Sequence, residues 1–155
     1  MEKNTVNIDT FSSPTKIEFT PEFNVAVPFI DRHLEEGRRE KIIIHSTSGE
    51  KVTYGQLFER VNKSGNVLKS IGLDSGDRIL MMVKDSPEFF YLFWGAIKAG
   101  FIPVPLNTLF RCNDYSYIIE DSECAAVFYS PEFKTEVESA LAQVSSSPDQ
   151  SFLTE

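Results

Sequence analysis

Between Thr53 and Gly72 the positions Leu57, Val61, Ser64, Leu68 and Ile71 recur at the spacing of one helix face, which predicts an amphipathic helix. Thr53-Tyr54-Gly55-Gln56 in front of it has the form of a capping box, Gly65 on the same side permits a neighbour to approach closely, and Gly72 provides the stop. Arg78 to Val83 is then a continuous apolar run bounded by turn residues, which predicts a strand covered on both faces and therefore a parallel sheet. From Pro87 to Ala99 the pattern becomes helical again, with Ser86 at the cap, Pro87 in the first turn and Gly100 just past the end. This second helix is apolar nearly all round, through Phe89, Phe90, Leu92, Phe93, Trp94 and Ile97, and needs cover on several sides.

Phe101 to Leu106 predicts a strand whose prolines, Pro103 and Pro105, suit an edge position. A loop from Asn107 to Asn113 leads to a short helix ending near Asp121. Cys124 to Tyr129 is another buried strand, and Ser130-Pro131 caps a last helix with Phe133, Val137, Leu141 and Val144 on its inner side. Upstream, Val27, Ile30 and Leu34 predict a short helix between Asn24 and Gly37, and Lys41 to Thr53 reads as two strands around a glycine turn. Residues 1–20 show no period and read as an irregular leader, and residues 145–155 as a frayed tail. The fold class expected is α/β: a layered domain over residues 21–144, with a mostly parallel sheet flanked by helices through right-handed crossovers and an N-terminal β-hairpin.

At 155 residues and 41% hydrophobic content, the chain has room for one domain with an ordinary core. A formal net charge of -8 disfavours nucleic acid and anionic membrane surfaces as partners. Cys112 and Cys124 are too few and isolated for a disulfide framework or metal cluster, so a reducing cytoplasm is the expected location. The longest apolar run, Phe89 to Ile97, is far shorter than the roughly 18 residues of a membrane-spanning helix.

Motifs for chemistry are sparse. Thr47-Ser48-Gly49-Glu50 looks like the start of a phosphate-binding loop, but Glu50 would repel phosphate, and a hairpin turn accounts for it. No G-x-x-x-x-G-K-[ST] or G-x-G-x-x-G sequence occurs. His33 and His45 lack neighbours at metal-ligand spacing and read as surface or structural residues. Arg111 next to Cys112 could lower a thiol pKa, yet no surrounding motif supports a reactive cysteine. No residue is assigned as catalytic or as a metal ligand.

Five segments arrive in a familiar order: Val52-Thr53-Tyr54-Gly55-Gln56-Leu57; Gly72-Leu73 with Gly76-Asp77-Arg78-Ile79; Ser86-Pro87-Glu88-Phe89; Ala96-Ile97-Lys98-Ala99-Gly100; and Pro103-Val104-Pro105-Leu106-Asn107. Together they resemble the start of the acyl-CoA synthetases, the adenylate-forming acid:CoA ligases, over about residues 24–144. Phe29 to Leu34, Asn107-Thr108-Leu109 and Asn113 to Tyr117 look most like the benzoate:CoA ligase branch.

The resemblance implies a two-step reaction. A carboxylate attacks the α-phosphate of ATP with Mg²⁺ present, and the thiol of coenzyme A then displaces AMP from the acyl-adenylate. It also implies that the phosphate loop, adenine motif, ribose-binding aspartate and C-terminal lysine of the family have no counterpart before Glu155. The lone chain is therefore expected to bind no cofactor and to be inactive, its partner being the rest of the ligase fold or a second copy through the Phe89–Ile97 helix. An interaction module docking on a ligase or other chain is the alternative. By resemblance the loop after Pro105 lies near coenzyme A, which makes Asn107 and Arg111 the candidate cofactor-binding residues. On composition alone, Asn107 reads as a turn residue and Arg111 as surface charge.

Overall fold

In the computed structural model, residues 4–148 and 150–154 are described. Strand β5 (Arg78–Met82) is the centre of the fold, lying between β6 (Ile102–Pro105) and β7 (Ala126–Tyr129), with β8 (Gln150–Leu153) outside β7. All three pairings are parallel. The apolar run of β5 is explained by its two covered faces. Ile79, Met81 and Val83 join Leu68 of helix α2 (Tyr54–Ser70) and Leu92 and Ala96 of helix α3 (Pro87–Ala99) in one core layer. Leu80 and Met82 point the other way, towards Tyr115 and Ile119 of α4 (Cys112–Ser122) and Val137 and Ala140 of α5 (Lys134–Leu141). The result is the predicted α/β layering. β6 takes an edge, where its two prolines leave only one side of the strand to satisfy.

Helix α2 begins as the sequence requires. The Thr53 hydroxyl accepts from the Gln56 N–H at 3.2 Å, and the Gln56 side-chain Oε1 accepts from the Thr53 N–H at 2.9 Å. Its Gly65 lies against Gly95 of α3, and a Cβ at Gly95 would stand 2.6 Å from the Ser64 Cβ and 2.9 Å from the Val61 carbonyl oxygen. The two helices thus touch backbone to backbone. Helix α3 ends at Gly100 with φ +95°, the left-handed stop expected of it. Ser86 takes the cap position with extended backbone, but its hydroxyl caps nothing. Ser130 also differs from expectation: its buried hydroxyl accepts from the Lys84 N–H at 3.1 Å instead of capping the turn that follows.

Three segments depart from the sequence reading. The leader is not irregular: β1 (Val6–Asp9) and β2 (Lys16–Phe19) pair antiparallel, Val6 opposite Phe19 and Ile8 opposite Ile17. Each strand shows only two apolar residues at period two, too short a signal to stand out, while the Asp9 carboxylate accepts from the N–H groups of Phe11 and Ser12 and builds the turn. The tail is not frayed either, because β8 extends the sheet and Phe152 stacks on Phe128 with ring centroids 4.9 Å apart. Residues 1–3, 149 and 155 lie outside the described residues. Finally, the helix expected over 24–37 begins at Val27 as a five-residue π-helical turn to Asp31 and continues as α1 (Arg32–Glu35), stopping at Gly37 with φ +77°. The hairpin of β3 (Ile42–His45) and β4 (Lys51–Thr53) forms as expected.

The N-terminal turn is tied to α3 by charge. Lys98 Nζ lies 2.5 Å from Asp31 Oδ1 and 4.4 Å from the Phe58 ring centroid, and the two charged side chains are only 21% and 23% exposed. Asn24 Nδ2 donates alongside to the carbonyls of Ile97 and Lys98 at 2.9 and 3.3 Å. Removing one member leaves the other half-buried without its partner. Lys98→Ala is expected to cost about 2 kcal/mol, between the values for exposed and buried pairs. An unfolding midpoint unchanged in urea would refute this.

Candidate functional site

The loop after β6 leaves the carboxyl end of the sheet, where ligands of open α/β folds gather. Asn107 shapes it: its Oδ1 accepts from the Leu109 N–H at 2.9 Å, and its carbonyl accepts from the Phe110 N–H at 3.2 Å. The Tyr115 hydroxyl, from a side chain with no exposed surface, donates to the same carbonyl at 3.2 Å. Asn107 therefore does the turn work read from its composition. Leu109, at the position two after the asparagine, is 81% exposed.

Arg111 stands at the N-terminal cap of α4 with its side chain in solvent. Asp114 Oδ2 accepts from the Arg111 N–H at 3.0 Å, which caps the helix. Glu136, from the first turn of α5, lies 3.5 Å from Arg111 Nη1 through Oε1 and accepts from the Cys112 N–H at 2.9 Å through Oε2. Asn107 and Arg111 thus belong to one loop, but a carboxylate already faces the arginine. The sequence reading missed Glu136, since nothing in a helix-surface glutamate signals a partner 25 residues away. Tyr115 was legible only as part of the Asn113–Tyr117 motif.

Among the described residues no group of three or more His, Cys, Asp or Glu could hold a metal ion. The 46–50 turn is closed by its own atoms, with Ser46 and Ser48 hydroxyls 2.9 Å apart and Gly49 at φ +90°. At this turn the described residues present no phosphate cradle, since the two hydroxyls face each other and the acidic Glu50 follows. Nor is any helix among them long and apolar enough to cross a membrane.

Burial pushes the Cys124 thiol above its ordinary pKa, against a smaller opposing hydrogen bond from Ser122. Cys124 is buried while Cys112 is partly open, so iodoacetamide at pH 8 is expected to alkylate Cys112 first, and Cys124 only once urea unfolds the chain. Equal native labelling, read by peptide mass, would contradict the buried placement.

Residues 30–153 match the family model described as "AMP-binding enzyme". The chain belongs to that family. A 4-hydroxybenzoate–CoA/benzoate–CoA ligase of Rhodopseudomonas palustris is 40% identical over 123 residues, covering 79% of this chain and 23% of the relative. A benzoate–CoA ligase of Thauera aromatica is 36% identical over 125 residues, with 80% of this chain and 24% of the relative covered. The crystal structure of a benzoate CoA ligase from Burkholderia xenovorans superposes with a TM-score of 0.77 at 32% identity, over 86% of this chain and 26% of that one. This AMP-binding family chain therefore spans about a quarter of the length of these relatives and corresponds to their N-terminal part. Its layered α/β fold is that of the N-terminal domains of adenylate-forming ligases.

Proposed function

We propose that this chain is the N-terminal portion of an acid:CoA ligase acting on an aromatic or related carboxylic acid, and that its own task is to scaffold the rest of the fold. The observation that carries the reading is the 40% identity to a 4-hydroxybenzoate–CoA/benzoate–CoA ligase over 79% of the chain. The complete enzyme uses ATP and Mg²⁺ to form the acyl-adenylate and coenzyme A to release the thioester, in the cytoplasm. A carboxylate is a poor electrophile, so such a site needs donors and a metal around the developing phosphate charge. Among the described residues no group of three or more His, Cys, Asp or Glu offers a metal seat, and on this reading the chain alone is inactive and binds neither ATP with Mg²⁺ nor coenzyme A.

The rest of the ligase fold, or a second copy, covers the aromatic flank of α3. Phe29 there stacks on Trp94 at 5.4 Å yet remains largely exposed, and Phe90 is open beside it. A stoichiometric partner recovered by pull-down, unrelated to any ligase, would favour an independent interaction module instead. The deciding experiment grafts residues 24–144 into the Rhodopseudomonas ligase in place of the matching segment. The chimera is expected to form benzoyl-CoA and the lone chain none. A folded chimera without activity, or turnover by the lone chain, overturns the proposal.

A further inference from the structure

His33 of α1 faces Tyr54, the first residue of α2, with ring centroids 4.0 Å apart and planes 29° from parallel. Its Nδ1 accepts from Arg38 Nε at 2.8 Å, and its backbone carbonyl accepts from the Arg38 N–H at 2.8 Å. An imidazole nitrogen that accepts from a guanidinium carries no proton, so the ring is neutral with its proton on Nε2. The segment that Arg38 begins then clamps the start of α2. Arg39 and Lys41 present their carbonyls to the N–H groups of Gly55 and Tyr54 at 2.9 and 3.0 Å. These are first-turn donors with no partner inside the helix. Gly55 leaves the room for this, since a Cβ there would stand 2.8 Å from Arg39 Cγ.

We propose that His33 is a proton-operated latch: neutral, it holds Arg38 and through it the 38–41 strap on the first turn of α2, and on protonation it releases them. Protonation at Nδ1 would place a second donor against Arg38 Nε and two positive charges at hydrogen-bond distance. The surrounding charges are mostly of the same sign. Arg32 lies on α1, and Arg38 and Lys41 lie on the strap. Glu36 is the opposing carboxylate, but it is already engaged by Arg38 Nη2 and lies 3.8 Å from Arg32 Nε. α2 contributes the neutral Tyr54. Burial first, then Arg38, Arg32 and Lys41, hold the imidazole below its ordinary 6.5. The folded state thus binds fewer protons than the unfolded state. The latch's contribution to stability is present above pH 6.5 and is lost as pH falls from there through the folded-state pKa.

Hydrogen–deuterium exchange at the histidine C2 position, followed by proteolysis and mass spectrometry of the separate His33 and His45 peptides, reports each imidazole separately. The His33 midpoint is expected below 6.5. Backbone exchange of Tyr54 and Gly55, corrected for its intrinsic pH dependence, is expected to rise at least about tenfold across the same midpoint. His33→Gln offers Arg38 an oxygen acceptor that cannot be protonated in this range, so the step should vanish while neutral-pH exchange stays as in the parent. A His33 midpoint at or above 6.5, or a step that persists in His33→Gln, overturns the proposal. Should His33→Gln fail to fold, the midpoint and step in the parent decide alone.

Discussion

Gly95→Ala is expected to lower the unfolding free energy by about 2 kcal/mol, and Gly95→Leu to abolish the native α2–α3 pair. The new methyl would meet the Ser64 Cβ at 2.6 Å, the Val61 carbonyl at 2.9 Å and the Gly65 nitrogen at 3.0 Å. Two of these atoms are backbone and cannot swing away, so the helices must separate. Overpacking of this kind costs about 3 kcal/mol at the upper end of its usual range, against roughly 1 kcal/mol returned by alanine's better helix propensity. Trp94, the one tryptophan, adjoins the contact and reports it directly. Urea unfolding followed by its fluorescence should show the loss, and a midpoint at or above the parent's would disprove the close crossing. Gly65→Ala should be milder, because its Cβ would meet the Gly95 carbonyl at 3.0 Å and the Ala99 Cβ at 3.3 Å.

The second large effect is expected at Tyr115. Tyr115→Ala removes a fully buried ring from the layer under α4 and should cost about 4 kcal/mol, within the range for aromatic truncations. Tyr115→Phe keeps the ring and deletes only the hydrogen bond to the Asn107 carbonyl, for about 1 kcal/mol, since Phe110 still donates to that oxygen. The mild variant should speed amide exchange in residues 108–111 while leaving β5 protected. Equal costs for the two variants would show that the hydroxyl, not the ring, carries the site. Burial, then the neighbouring Glu136, raises the phenol's pKa above 10, so the folded state retains this proton longer than the unfolded one. Its contribution is full below pH 10 and is lost as pH rises through the folded-state value.

Most of the architecture could be read from the chain because its signals are local and agree with one another. The Thr53–Gln56 box, Gly100 at a left-handed stop and the unbroken apolar run of β5 each specify their own element. Gly65 signalled a close approach, but its partner Gly95 became evident only once the helices were packed. What escaped was short or distant. β1 and β2 display two outward apolar residues apiece, and β8 is held by β7 and by Phe128 rather than by its own pattern. At the loop, Asn107 behaves as its composition suggests, whereas the Glu136 opposite Arg111 comes from another helix. Proximity of that kind is created where α4, between β6 and β7, packs on α5, between β7 and β8, and has no trace in either segment alone.

The strand order β6-β5-β7-β8 also bears on synthesis. β5 emerges from the ribosome before its sheet neighbours, β6 then adds to one side, β7 to the other and β8 to β7. Every newly made strand thus finds its template already present, and the central sheet can grow outward in the direction of translation.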